Sequence, residues 1–262
     1  MKKERRCLRI NMDIRCLKPA DSKRLGEIIR KGMPENIFSL TISSCHGYDS
    51  FISSLLETPN YSPYSFYGAY IDNKLVGFVE WRKLENVLFL NNIYILPDYR
   101  SFGIGKKLFN TKQYLLTNYE VSRIELDVFS WNEKAMQWYE NIGFKPIKTD
   151  NWYIKKSLNK VDIQEEFYVY NLPEAKCMHK DYGFSRLEIS AKKGQYAIGR
   201  LGNQYYRIQG FDALLDNCLI NALSVIDPTR DYLIVADKEH KIPKDLGGLS
   251  FIASVMRMSL SL

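Results

Sequence analysis

Apolar and polar positions along this chain alternate with two different periods, and the switches between them mark the elements. Met12 to Leu17 reads as a strand. Past Pro19-Ala20, Asp21 or Ser22 caps a helix whose Leu25, Ile28 and Ile29 share one face. Phe38 to Leu56 is helical in part, with Phe51, Leu55 and Leu56 on one side, until Tyr61-Ser62-Pro63 breaks it. The pattern then turns to strands: Ser65 to Ile71, Leu75 to Trp81, and the longer apolar run Asn86 to Leu96. Asp72-Asn73-Lys74 is a hairpin turn signal between the first two. Pro97-Asp98-Tyr99 ends the third. A helix from about Gly103 to Asn118, a strand from Ser122 to Phe129, a short helix from Glu133 to Asn141 and a strand from Trp152 to Lys156 follow.

Asn159 to Glu166 is charged and carries no periodic signal, which makes it the boundary between two domains, residues 10–158 and 163–262. Beyond it the alternation restarts. Strands fit Phe167 to Tyr170, Ser185 to Ser190, Gln195 to Gly199 and Gln204 to Gln209, the last two as a hairpin over Leu201-Gly202-Asn203. A helix fits Ala213 to Val225, then strands Tyr232 to Ala236 and Phe251 to Leu260. The two halves share enough of this order to have a common architecture, and the fold class is α+β.

Composition narrows the setting. The 262 residues are 45% apolar and 26% charged, as in ordinary globular proteins. No run of 18 apolar residues occurs, so no membrane span is expected. Five scattered cysteines without a C-x-x-C pair point to reduced thiols in a cytoplasm, and three histidines without metal spacing give no reason to expect a metal. The thirteen basic and thirteen acidic residues from Lys160 onward cancel, so the net +7 arises before it. Residues 1–9 hold five basic side chains and one acidic one. Such a head reads as a tether to an anionic surface or, more simply, as a solvated terminus. No basic aromatic patch elsewhere suggests nucleic acid.

Two blocks carry chemistry. In the first, the apolar strand ends in Leu96-Pro97-Asp98-Tyr99 and leads into Arg100-Ser101-Phe102-Gly103-Ile104-Gly105-Lys106 and a helix. Glycines at a strand-to-helix turn let backbone approach a ligand, and the free amides of the helix start favour a pyrophosphate. In the second, Asn132 stands where it caps a helix, Tyr139 lies two turns on, and Gly143 suits the left-handed stop before Phe144.

Together the blocks resemble the GNAT superfamily of acyl-CoA-dependent N-acetyltransferases. Arg100, Gly103 and Gly105 match its R-x-x-G-x-G turn, and Asn132, Ala135, Tyr139, Gly143 and Phe144 match its second motif. The resemblance covers about Met12 to Leu158 and implies a mixed, mostly antiparallel sheet flanked by helices, splayed open between its fourth and fifth strands. It implies acetyl-CoA as co-substrate, with its pyrophosphate on the amides from Phe102 to Lys106 and its pantetheine arm on backbone near Ile93 and Ile95. Tyr139 matches the tyrosine that donates to the departing thiolate. For the base, Asp127 stands where some relatives carry a glutamate, and Glu80, at the end of another strand, is the rival; many members use water relays instead. The C-terminal half resembles a smaller, degenerate GNAT-like domain. It lacks the turn, so one coenzyme site is expected, and two roles fit it, a wall of the acceptor pocket or a homodimer contact. The acceptor is a primary amine of a small molecule or protein that the sequence does not name. A non-catalytic acyl-CoA sensor on the same fold is the alternative.

Overall fold

The computed structural model describes residues 12–157 and 166–262. The basic head, and all of the 159–166 boundary stretch except Glu166, lie outside them.

The first half runs β1 (Met12–Cys16), α1 (Ser22–Gly32), α2 (Glu35–Phe38), α3 (Tyr48–Glu57), β2 (Tyr64–Ile71), β3 (Lys74–Leu84), β4 (Val87–Ile95), α4 (Ile104–Asn110), α5 (Lys112–Leu116), β5 (Arg123–Phe129), α6 (Glu133–Ile142) and β6 (Lys145–Lys155). The second runs β7 (Tyr168–Val169), α7 (Leu172–Tyr182), β8 (Phe184–Ala191), β9 (Gly194–Leu201), β10 (Tyr205–Gln209), α8 (Asn217–Ile226), β11 (Asp231–Asp237) and β12 (Leu249–Ser261). The β2–β3 hairpin turns on Asp72 and Asn73 at φ 49° and 60°, the paired positive angles that match strand twist.

Among the described residues all twelve strands join one sheet in the order β1-β2-β3-β4-β5-β12-β6-β11-β10-β9-β8-β7. The order is a near mirror image about its centre. In the first half an antiparallel β2-β3-β4 is followed by helix and a parallel β5; in the second an antiparallel β8-β9-β10 is followed by helix and a parallel β11. The closing strands are exchanged. β12 pairs with β5, β6 pairs with β11, and the two pair with each other. The alternation of the last strand identifies it as a strand, but its place beside β5, where partners such as Val255 and Phe129 are far apart in sequence, is set by long-range pairing that no local pattern encodes.

Trp81, Leu88, Leu108, Ile124 and Met258 pack one face of the first half against α4 and α6, while Phe78, Leu25, Ile28 and Ile52 pack the opposite face against α1 and α3. A third core gathers β8–β11 and α8. Two elements depart from expectation. The helix after Gly103 is interrupted at Thr111, whose hydroxyl donates to the Leu108 carbonyl (2.7 Å) and accepts from the Trp81 indole (3.0 Å). α7 was not expected at all, because Ala175 is its one buried residue and leaves no apolar stripe; its signals are Pro173 in the first turn and Gly183, at φ +77°, as the stop.

Candidate functional site

β4 and β5 run parallel only from Val87↔Arg123 to Leu90↔Leu126, and β4 then continues unpaired on that side to Ile95. The cause is visible one strand away. Against β3, Glu80 pairs with Asn92 and Trp81 with Leu90, so Asn91 is an extra residue, and a bulge bends its strand. The Leu96 amide donates to the Val76 carbonyl (2.9 Å), so strand alternation turns the backbone of Ile95 and Ile93 the other way, toward the opening.

The chain leaves the opening through the glycine turn. Ser101 and Gly103 take φ +67° and +75°, and Gly103 caps α4. A Cβ on Gly103 would meet nothing within 4 Å, and one on Gly105 only Ile95 Cδ1 at 3.5 Å. Bare backbone therefore faces open space. Ile104 is buried and anchors the turn, while Ser101, Phe102 and Lys106 are exposed. The first-turn amides of Ile104, Gly105 and Lys106 have no acceptor within the helix. Arg100 is exposed and its Nε donates to the Ile95 carbonyl (3.0 Å), tying the turn to the strand it leaves. A groove between α4 and α6 continues from Lys106 past Phe109, Lys112 and Trp138.

In α6 the Asn132 side chain accepts from the Ala135 amide (3.3 Å), and Gly143, at φ +108°, ends the helix. Tyr139 is buried against Trp138 and Phe144, at 5.0 and 5.7 Å between ring centres. Burial, and then the neighbouring Tyr94, raise its pKa beyond the usual tyrosine range. Burial and then Glu80 do the same to Tyr94. Glu80 thus acts on Tyr94, and Tyr94 on Tyr139.

The two carboxylates differ sharply. Glu80 lies inside β3 and not at its end, because the strand runs on to Leu84. It is 3% exposed, and each oxygen accepts one amide hydrogen bond of 2.6 Å, from Asn91 and from Asn92. Burial raises its pKa, opposed by Asn92, Asn91 and Arg82. Asp127, on β5, is exposed and held by Arg257 of β12 through two bonds of 2.6 and 2.8 Å. Sequence reasoning missed Asn91, Asn92 and Tyr94. The signal was there: two adjacent asparagines interrupt an otherwise apolar strand.

Residues 37–144 match the model of the acetyltransferase (GNAT) family. The chain carries a GNAT domain. The spermidine N(1)-acetyltransferase of Thermoplasma acidophilum is 24% identical over 149 residues, 54% of this chain and 92% of that one. The thialysine N-epsilon-acetyltransferase of Mus musculus is 32% identical over 66 residues, a quarter of this chain and 39% of that relative's length. Over nearly the whole chain the fold matches a tandem GNAT protein from the clavulanic acid biosynthesis pathway (TM-score 0.67, 10% identity, covering 95% of this chain and 98% of that one). It also matches a GNAT protein from Sphaerobacter thermophilus (TM-score 0.65, 10% identity, covering 95% of each). At such identity these two show the fold alone. Among the described residues no cluster of His, Cys, Asp and Glu could hold a metal ion, and no helix is long and apolar enough to cross a membrane.

Proposed function

We propose that this GNAT protein is an acyl-CoA-dependent N-acetyltransferase that moves acetyl from acetyl-CoA to a primary amine. The observation that carries the reading is the parting of β4 from β5 after Leu90 and Leu126, beside a turn that offers bare backbone. Acetyl-CoA supplies the activated thioester. Amides from Phe102 to Lys106 hold the pyrophosphate with help from the start of α4, Arg100 and Asn132 flank it, and backbone at Ile93 and Ile95 holds the pantetheine arm.

Glu80 takes the proton from the incoming ammonium. Its buried, raised pKa makes it a stronger base than a solvated carboxylate. Asp127 is the weaker candidate, since Arg257 holds both of its oxygens and it lies exposed on β5. As nitrogen bonds to the carbonyl carbon and the carbon–sulfur bond breaks, Tyr139 donates its phenol proton to the sulfur, and the second proton shed by the nitrogen restores the phenol. Burial keeps the phenol protonated, so its hydroxyl can donate to the sulfur as charge develops there.

In this reading residues 10–158 form the active domain and 163–262 a degenerate GNAT-like domain. A single coenzyme site fits, because all five residues of β10 remain paired with β11 and leave no parting of the kind seen between β4 and β5. Unpaired Cys16, Cys45, Cys177 and Cys218 suit a reducing cytoplasm. The experiment is release of free thiol from acetyl-CoA across a panel of amines. Turnover with any class supports the enzyme; acetyl-CoA binding without turnover on every class leaves a sensor in its place.

A further inference from the structure

β4, which borders the opening, presents different side chains to the two faces of the sheet. Against β3, Phe78 pairs with Tyr94, Val79 with Ile93 and Glu80 with Asn92, and the register is unbroken across these pairs. Alternation therefore sends Tyr94 to the face that carries Phe78 and Glu80, and sends Ile93 and Ile95 to the other. The packing agrees. Phe78 and Tyr94 belong to the core under α1 and α3, while Ile93 and Ile95 pack against the cluster that holds Tyr139. Tyr94 and Tyr139 thus belong to opposite faces, beside the stretch of β4 that β5 leaves unpaired. Tyr94 nevertheless acts on Tyr139, as two groups flanking a gap would.

The Tyr94 ring is held firmly. It lies tilted on Phe78 with ring centres 6.1 Å apart. A Cβ added to Gly32, the last residue of α1, would fall 2.6 Å from Tyr94 Cδ1, so the ring rests against bare backbone there. Among the described residues no hydrogen bond engages its hydroxyl, and the side chain is half-buried, not sealed. The phenol is fixed through its ring and uncommitted at its oxygen. Glu80 is its diagonal neighbour across the β3–β4 pair, within reach of an aromatic side chain.

Resting on the acetyl-transfer reading, we infer that Tyr94 is a further catalytic residue whose phenolic oxygen receives and aims the acceptor nitrogen. A thioester laid along the backbone of Ile93 and Ile95 has Tyr139 on one face, and Tyr94 with Glu80 on the other. The amine enters from the Tyr94 face, and the departing sulfur is met on the Tyr139 face. A neutral phenol has one proton to donate and two lone pairs to accept with. In the field of ionised Glu80 it turns its O–H toward the carboxylate and its lone pairs outward. One lone pair accepts an N–H hydrogen bond from the nitrogen. The nitrogen's own lone pair, freed when Glu80 takes the ammonium proton, is left aimed at the carbonyl carbon. Tyr94 forms no covalent bond and keeps its proton throughout, since burial and then Glu80 hold its pKa above the usual tyrosine range.

The test is Tyr94→Phe, which keeps the ring on Phe78 and Gly32 and removes only the oxygen. Variant and wild type are assayed by thiol release from acetyl-CoA with a primary alkylamine, a polyamine and a free amino acid, as a function of pH. Calorimetry of acetyl-CoA and a melting curve accompany the rates. For the best amine, kcat/KM should fall about tenfold with acetyl-CoA affinity unchanged. The acidic limb of the pH–rate profile, set by Glu80, should move upward, because the carboxylate loses a donor. Among the described residues Tyr48 of α3, Tyr64 of β2 and Arg82 of β3 also face Glu80. The variant leaves all three in place, so the movement reports the phenol. Wild-type turnover that Tyr94→Phe keeps within about twofold overturns this inference alone. So does a loss that comes with weaker acetyl-CoA binding and an unmoved limb, the mark of a packing role. No turnover by wild type on any amine, with acetyl-CoA bound, overturns the acetyl-transfer reading, and this inference falls with it.

Discussion

Arg257 grips Asp127 across 130 positions of sequence, with Nε and Nη2 on separate carboxylate oxygens at 2.6 and 2.8 Å. The pair ties β12 to β5 and occupies both Asp127 oxygens. Asp127→Asn should therefore leave turnover within about threefold of wild type. Both side chains are more than a third exposed, so the pair contributes no more than about 1 kcal/mol. Steady-state rates and a denaturation curve check both halves of this statement.

Glu80→Gln should behave differently. Loss of the base should lower kcat by about 10²–10⁴-fold and remove the acidic limb of the pH–rate profile. In wild type that limb is shifted upward from where an ordinary glutamate would put it, with activity falling as pH falls and Glu80 is protonated. The stability sign is opposite. A folded pKa raised above the unfolded one means the protonated carboxyl favours the fold, and this is lost as pH rises through the folded pKa. Gln does not titrate, so the melting temperature of Glu80→Gln relative to wild type should climb between pH 4 and pH 8.

Tyr139→Phe keeps the ring packed between Trp138 and Phe144 and removes only the hydroxyl. The expected result is a lower kcat with nearly unchanged acetyl-CoA affinity, since the proton is needed only as charge develops on sulfur. Calorimetry beside steady-state kinetics separates this from a stability effect, which would leave turnover per folded molecule normal.

Gly105→Glu has room for its Cβ, with Ile95 Cδ1 at 3.5 Å as its neighbour, so the variant should fold. Its charge would stand against the phosphates. Wild type should titrate with one acetyl-CoA per chain, and the variant should show at least tenfold weaker binding. Two sites in wild type, or equal affinity in the variant, would reassign the turn.

The site was readable where chemistry needs local spacing. Gly103, Asn132 and Gly143 each do what their positions in the sequence imply, because caps and left-handed turns depend on a few adjacent residues. The hairpins over Asp72 and over Gly202 were legible for the same reason. What escaped depends on distance. Nothing near Asp127 signals that Arg257 claims it. The bulge at Asn91 could have been suspected from polar residues in an apolar run, but its effect, the opening beside β5, appears only once three strands are aligned.

Removing residues 249–261 should disrupt both halves and not just the second. β12 lies between β5 and β6, so its loss leaves each with an open edge and removes Met258 from the first core. The truncated chain should lose near-ultraviolet dichroism and acetyl-CoA binding together. Normal binding by it would show that the first half folds without β12.

The exchange of closing strands also fixes an order of events during synthesis. β5 is made about 120 residues before the strand that covers it, a wait of roughly ten seconds at common rates of translation. Through that interval its outer edge, with Leu126 and Val128 beside it, stays unsealed on the ribosome. Neither half has its full set of strands until the exchange is made. Joining β12 to β5 also closes a loop spanning nearly half the polypeptide, an entropic cost that must be met before the pairing forms.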